Sequence, residues 1–384
     1  MVVVIDASNI RSGGGLTHLK GILENYNVGF GFKKVVVYSN LKTLKVLPDK
    51  DWLVKETHRF LNKSSLWSFI FQIFILSSHA TKKYKCDIIF SPGGTFFGGF
   101  KPFVTMSRNM LPFEFREAFR FESWKVRIRF IILFLTQSIT FKRASGIIFL
   151  TKYAKEVILK KVKKVDEKLT IIPHGVDPYF LNIPKLQLDL NTYTFDKPYK
   201  FLYVSAISAY KHQWNVAEAI FRLNEEGFPV TLDLIGPGSG ESLDRLNRIV
   251  KSKRNNNKSV NYLGLVEHKK LANYYKNADA FIFASSCENM PNILIEAMIS
   301  GLPIASSSKG PMPEVLQDGG LYFDPLDVQS IYECLKELIV NKDTRTNITE
   351  NARKINFYSW GECSERTFKY LLKVTLISQK ANTQ

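Results

Sequence analysis

Residues 230–253 read Val-Thr-Leu-Asp-Leu-Ile-Gly-Pro-Gly-Ser-Gly-Glu-Ser-Leu-Asp-Arg-Leu-Asn-Arg-Ile-Val-Lys-Ser-Lys. An apolar run at Val230–Ile235 meets a glycine turn at Gly236–Gly240, and a helical pattern follows over Ser242–Lys253. Strand, turn and helix in that order form half of a βαβ unit, the building block of a parallel sheet. The same alternation runs outward on both sides. Further strands are predicted at Lys200–Val204, Val260–Leu263, Ala280–Phe283, Pro303–Ala305 and Gly320–Phe323, with helices at Gln213–Glu225 and Leu271–Lys276. The first half repeats the pattern at Val2–Ile5, Lys34–Tyr38, Ile88–Phe90, Phe103–Met106, Gly146–Phe149 and Leu169–Ile172. Short continuous apolar strands separated by helices belong to parallel sheets covered on both faces. Two such series predict an α/β chain of two Rossmann-like, doubly wound domains.

The 384 residues exceed the roughly 250–300 at which one core stops growing, which agrees with two domains. Pro173, Pro178, Pro184 and Pro198 mark a linker with few long apolar runs. The expected division is a first domain over 1–185, a second over 186–358, and a C-terminal helix over 359–384 packing back towards the first. Open α/β sheets bind ligands beyond the carboxyl ends of their strands, so the default site is a cleft between the two domains.

Residues 1–190 hold 30 Lys/Arg against 14 Asp/Glu, whereas residues 191–384 hold 23 against 21. The excess therefore belongs to one domain's partner. Nucleic acid and an anionic membrane surface both suit it, as does a basic surface that only keeps the protein soluble. No helix-turn-helix, RNP or zinc-finger pattern supports nucleic acid. Four scattered cysteines without CxxC spacing argue against a disulfide framework or zinc ribbon and favour a reducing compartment. The start, Met1–Asp6, reads as a first strand and not as a signal peptide. Leu66–Ser77 is too short to span a bilayer and is interrupted by Gln72. If Phe115–Phe141 is one helix, Arg116, Arg120 and Arg127 share about a 40° arc beside Trp124 and Phe130–Leu135. That stripe suits anionic lipid, and it equally suits a core helix with solvated arginines.

Several chemistries lack their residues. Gly13-Gly14-Gly15 precedes a helical pattern starting near Leu16, and glycines there admit an anion to backbone N–H groups or simply form a loop. Leu16-Thr17 stand where a Walker motif needs lysine. Gly236–Gly240 is GxGxG and misses the NAD fingerprint, leaving a structural strand-to-helix turn. Asp49-Lys50-Asp51 lies in a polar turn and not after a strand, so it is not expected to hold a metal. The six histidines form no HExxH or HxxxH pair, and each reads as a surface or core residue. No GxSxG nucleophile is present. The remaining constellation is Glu288-Asn-Met-Pro-Asn-Ile-Leu-Ile-Glu296, after the strand Ala280–Phe283. Glu288 is expected in a loop and Glu296 in the next helix, with Pro291 near its first turn. Two carboxylates there can accept hydrogen bonds from vicinal hydroxyls of a sugar or ribose.

Glu288-x7-Glu296 followed by Ala297-Met-Ile-Ser-Gly-Leu-Pro303 resembles the EX7E signature of family-4 glycosyltransferases, the glycosyl transferases group 1. Gly310–Val315 and Gly319–Pro325 continue that pattern. Val204–Lys211 is similar to the family's phosphate-binding turn, Ile172–Asp177 to its interdomain segment and Gly13–Gly15 to its first loop. The resemblance implies a GT-B fold, with the two domains facing across a cleft, and a metal-independent retaining transfer from a nucleotide-diphosphate sugar, with no cofactor. It implies that Glu288 contacts hydroxyls of the transferred sugar, with Asn289, Met290 and Pro291 nearby. Glu296 would hold the nucleotide ribose, Lys211 the diphosphate, and Gly14 and Gly15 the same phosphates. The chain departs from the family pattern twice. Ala206 replaces an arginine five residues before Lys211, and Arg108 stands where a histidine is common, making Arg108 and Asn109 candidates for acceptor or phosphate contact.

The expected enzyme is therefore a hexosyltransferase acting on a hydroxyl of a lipid-linked saccharide in surface polysaccharide or glycolipid assembly. Its expected location is cytoplasmic, peripheral on the inner face of the cell membrane, with no nucleic-acid partner. A non-transferase enzyme of the same fold, such as a nucleotide-sugar epimerase, and a basic nucleic-acid-binding protein are the alternatives.

Overall fold

In a computed structural model of the chain, residues 1–163, 168–182, 184–252 and 259–383 are described. The chain forms two compact units. One comprises Met1–Phe113, Ile128–Gly175 and Tyr358–Gln384, the other Glu114–Arg127 and Val176–Phe357. The division falls near residue 175 instead of 185, and residues 114–127 belong to the second unit although they interrupt the sequence of the first. The polypeptide therefore passes between units four times.

The first unit is built on β1 (Val2–Asp6), β2 (Lys34–Tyr38), β3 (Leu53–Glu56), β4 (Ile88–Ser91), β5 (Phe103–Met106), β6 (Gly146–Phe149) and β7 (Leu169–Ile171). They form one sheet in the order β3-β2-β1-β4-β5-β6-β7, parallel at every pairing. Strands β4, β5 and β6 are buried along their whole length, as a sheet covered on both faces requires. The helix Trp360–Thr383 belongs to this unit: Ser364 Oγ donates to Ile22 O at 2.7 Å and Tyr370 Oη to Lys168 O at 2.6 Å. Its Phe368, Leu371 and Val374 are buried, each such side chain contributing about 1.5–3 kcal/mol over exposure.

The second unit holds β8 (Tyr199–Val204), β9 (Val230–Ile235), β10 (Val260–Gly264), β11 (Ala280–Phe283), β12 (Ile304–Ser307) and β13 (Leu321–Phe323). The order β10-β9-β8-β11-β12-β13, again parallel, repeats the winding of the first sheet. In each sheet the order reverses between the first strand and the fourth, β1/β4 and β8/β11. Loops leaving the carboxyl ends of those strands diverge there and leave a crevice.

The predicted helix over Phe115–Phe141 is two helices, Phe115–Ala118 and Trp124–Arg143. The break has a local cause. Arg127 Nε donates to Phe121 O at 2.6 Å, and Ser123 O accepts from the amides of Val126 and Arg127, so a new helix starts there. Arg116, Arg120 and Arg127 therefore form no common stripe. Arg120 is paired with Glu117 at 2.7 Å.

The second of these helices carries a different pattern. Phe130, Gln137, Thr140 and Phe141 are buried, while Ile128, Ile131, Ile132, Leu135 and Ile139 are 41–54% exposed. At 100° per residue those five fall within about a 100° arc on the opposite face. Exposed Lys125, Arg129 and Lys142 flank it. Charge follows the structural units more sharply than the sequence halves: the first unit holds 29 Lys/Arg against 11 Asp/Glu, the second 24 against 24. Among the described residues no helix is long and apolar enough to cross a membrane.

Candidate active site

In the second unit the turn after β8 and the loop after β11 flank the point where the strand order reverses. The first delivers Lys211 and the second Glu288, and the two side chains form an ion pair. Lys211 is only 6% exposed overall. Its ammonium lies 5.0 Å from the ring centres of both Tyr210 and Phe283, whose faces favour a cation. Tyr203 Oη donates to Lys211 O at 2.6 Å and fixes the backbone beneath the ammonium. Burial, then the Glu288 carboxylate, push the hydroxyls of Tyr203 and Tyr210 up from their ordinary value, so both stay protonated.

The glycine turn after β9 supports this arrangement from behind. Gly236 has φ +148°, and a Cβ there would lie 2.1 Å from Ser205 O, so only glycine lets the two turns touch. Ile207 N donates to Pro237 O at 2.9 Å. The Gly236–Gly240 turn is thus structural, and the helix after it starts at Gly240, two residues earlier than predicted, and is described as far as Ser252. Lys253, the predicted end, lies outside the described residues.

Pro291 immediately precedes the helix Asn292–Ile299, which carries Glu296 on its buried side. Glu296 is engaged at both oxygens: His268 Nε2 lies 3.0 Å from Oε1, and Tyr275 Oη donates to Oε2 at 3.2 Å. Tyr179 Oη lies 2.5 Å from His268 Nδ1, completing a row of four side chains. The hydrogen bond to Glu296 raises the His268 pKa above its ordinary 6.5, against the opposing effect of burial. The sign of the resulting pH dependence follows. The histidine's contribution to stability is complete below about pH 6.5 and is lost as pH rises through the raised value. Thermal melts of the parent and His268→Gln should separate near about pH 5.5 and converge by about pH 9. Equal separation at both values would contradict the assigned pairing.

In the first unit, Gly13 to Gly15 are the first turn of the helix Gly13–Glu24 and not a loop before Leu16. Gly13 takes φ +64°. Arg108 Nη1 donates to Gly15 O at 3.2 Å, and a Cβ on Gly15 would lie 3.4 Å from that nitrogen. Burial pushes the Arg108 pKa down to about 10, which leaves it charged near neutrality. Asn109 Oδ1 accepts from Leu111 N at 3.1 Å, so its oxygen is turned to its own backbone. The candidate residues thus assemble as two groups: Gly14, Gly15, Arg108 and Asn109 in the first unit, and Lys211, Glu288–Pro291 and Glu296 in the second. Asp49, from the aspartate pair set aside above, bonds Lys55 at 2.7 Å beside β3.

The reading of each histidine as a surface or core residue did not foresee contacts to the candidate residues. His268 meets Glu296, and His212 Nε2 lies 2.9 Å from Ser286 Oγ, so two of the six are bound into this site. Tyr179, Tyr275, Ser286 and Glu117 were likewise missed. The position of His212 beside Lys211, and of Ser286 two residues before Glu288, was the only local signal.

Two doubly wound parallel sheets in one chain define the GT-B class of fold. HepE of Anabaena, solved in complex with UDP and glucose, superposes with a TM-score of 0.66 over 100% of both chains at 15% identity, a likeness of fold. Residues 190–355 of the chain match the family model described as Glycosyl transferases group 1. An uncharacterised glycosyltransferase of Methanocaldococcus jannaschii is 28% identical over 194 residues, 48% of this chain and 45% of that protein. The capsular polysaccharide biosynthesis glycosyltransferase CapM of Staphylococcus aureus is 24% identical over 244 residues, 59% of this chain and 60% of CapM. The chain spans about half the length of the curated relatives it matches.

Proposed function

We propose that the protein is a retaining glycosyltransferase that moves a hexose from a nucleotide-diphosphate sugar to a hydroxyl of a lipid-linked saccharide in surface polysaccharide or glycolipid biosynthesis. The observation that carries this reading is the Lys211–Glu288 pair where the second sheet reverses, with Glu296 in the helix that follows, inside the family-matched segment. The ammonium of Lys211 takes the diphosphate, whose charge grows as the sugar–phosphate bond breaks. Glu288 accepts hydrogen bonds from hydroxyls of the transferred sugar, beside Asn289, Met290 and Pro291, and Glu296 accepts them from the ribose. Front-face displacement needs no protein nucleophile, because the departing diphosphate takes the acceptor's proton. In the first unit, Gly14, Gly15 and Arg108 are assigned an anionic group of donor or acceptor, and Asn109 a place beside it. CapM's part in capsule synthesis supports a polysaccharide product, and HepE's complex supports a nucleotide-sugar donor.

The partner of the basic first unit is an anionic membrane surface, which places the enzyme on the cytoplasmic face of the cell membrane. The docking element is the exposed apolar face of Trp124–Arg143, flanked by Lys125, Arg129 and Lys142. It replaces the arginine stripe that the broken helix removes.

A thermal-shift screen of nucleotide sugars in EDTA tests the donor reading. A ligand of the native state stabilises it by RT ln(1 + [L]/Kd), about 2.7 kcal/mol at a hundredfold excess over Kd. One base should stand out, with the same shift when Mg²⁺ replaces EDTA. A shift seen only with Mg²⁺ would contradict the metal-free site.

A further inference from the structure

The residues next to Lys211 and Glu288 are tied to a segment that the family signature does not include. Ser286 Oγ lies within hydrogen-bond reach of a Glu117 carboxylate oxygen and of His212 Nε2, the latter at 2.9 Å. Arg120 Nε donates to Glu117 Oε2 at 2.7 Å. Proton directions are fixed by valence. A carboxylate only accepts, so the single Ser286 hydroxyl proton goes to Glu117 and His212 Nε2 must donate to Ser286. Burial, reinforced by Arg120 and Arg245, pushes the His212 pKa down to about 4, so this donor is a neutral imidazole. In the row His212 → Ser286 → Glu117 ← Arg120 the first three residues are nearly closed to solvent, at 2%, 4% and 9% exposure, and Arg120 ends the row at the surface.

Two further observations give the row a task. His212 adopts φ 50°, ψ 31°, a left-handed conformation costly for a non-glycine residue, at the entry to the helix Gln213–Glu225. Such a conformation persists only where side-chain contacts hold it, and the bond to Ser286 is one. Ser286 N also donates to Tyr210 O at 2.9 Å, so the turn after β8 and the loop after β11 are joined on both sides of Lys211. Glu117 ties that junction to residues 114–127, and Phe121 of the same segment lies 6.2 Å, ring to ring, from Tyr210.

We propose that Glu117 is a positioning residue of the donor site: through Ser286 and His212 it holds the two turns that present Lys211 and Glu288. The proposal rests on the donor reading above. Removing the carboxylate frees the Ser286 hydroxyl to turn to Tyr210 O, already 3.3 Å away, and releases the His212 turn.

Hydrogen exchange of the full chain tests the tie without a ligand. Glu117→Ala and Ser286→Ala should each accelerate exchange about tenfold or more within residues 205–213 and 285–290, with the remaining amides unchanged. Glu117→Gln keeps an acceptor for the hydroxyl and should exchange as the parent does. Parent-like exchange in Glu117→Ala, or acceleration throughout the second unit in either variant, would overturn the proposal. Titration with UDP, GDP and ADP then reads the site itself. The tightest of the three should bind Glu117→Ala about tenfold more weakly. The Glu117→Ala/Ser286→Ala double variant should be no weaker than the weaker single variant within twofold, and Glu117→Gln should stay within threefold of the parent. Equal binding to parent and Glu117→Ala, or losses that multiply in the double variant, overturns this proposal alone. A parent that binds none of the three overturns the donor reading and this proposal with it.

Discussion

Turnover of Glu288→Gln should fall by about 10²–10³-fold while the nucleotide diphosphate binds as tightly as to the parent, or tighter. The fall follows from losing a charged acceptor to the sugar, an interaction of the size measured for single electrostatic contacts to a reacting group, about 3–4 kcal/mol. The unchanged or improved nucleotide affinity follows from the ion pair seen here. Lys211 and Glu288 pair at 7% and 16% side-chain exposure. A diphosphate must compete with that carboxylate for the ammonium, and the amide removes the competitor. Glutamine is the better substitution because it keeps the side-chain volume and an oxygen that accepts from the ammonium, whereas alanine would leave a cavity and remove that acceptor. Single-turnover rates and nucleotide Kd, measured on the same preparation, separate the two effects. A parent-like rate would remove Glu288 from the chemistry, and a large loss of nucleotide affinity would move its contact from sugar to phosphate.

Vesicle binding should depend on the apolar face of Trp124–Arg143 more than on the arginines around its start. Replacing Ile131, Ile132 and Leu135 with Glu removes three side chains that are 41–54% exposed in water and would enter the lipid boundary. Insertion is worth about 1 kcal/mol for each half-exposed side chain, so the triple variant should bind vesicles of anionic lipid about a hundredfold more weakly. Lys125, Arg129 and Lys142 add about 1 kcal/mol each near an anionic surface. Their replacement by Gln should matter at low salt and little at high salt. Arg116→Glu, Arg120→Glu and Arg127→Glu together reverse three charges, so their effect should appear at low salt and fade at high salt, where loss of the apolar face still weakens binding. Sedimentation with vesicles at two salt concentrations checks all three. Indifference of the parent to anionic vesicles, or of the Ile131/Ile132/Leu135 variant, would remove this docking face.

Much of the fold was legible because parallel strands buried on both faces must be continuously apolar. Five strands have the predicted bounds: Lys34–Tyr38, Phe103–Met106, Gly146–Phe149, Val230–Ile235 and Ala280–Phe283. β3 was missed, since Leu53-Val-Lys-Glu is an edge strand with two charged residues and owes its conformation to pairing with β2. The interrupted helix was missed because periodicity cannot register a carbonyl claimed by Arg127. In the second unit, Lys211 and Glu288 were legible through flanking motifs, each set by a short turn after a strand. Their surroundings were not. Glu117 and Ser286 are 169 residues apart, and His268 and Glu296 meet across two elements, so no local spacing encodes either contact.

The four crossings of the polypeptide have a consequence for modularity. Enzymes built of two nucleotide-fold halves invite recombination at a single linker, with one half exchanged to change what is modified and the other kept to preserve the donor. In this chain a single crossover near residue 175 would carry Glu117 away with the exchanged half and leave Ser286 facing whatever the new sequence supplies. A working chimera must transplant residues 114–127 together with 176–357 and return Tyr358–Gln384 to the other parent. The structural unit that carries Glu117, Lys211 and Glu288 is thus discontinuous, and exchange between relatives must respect three junctions besides the obvious one.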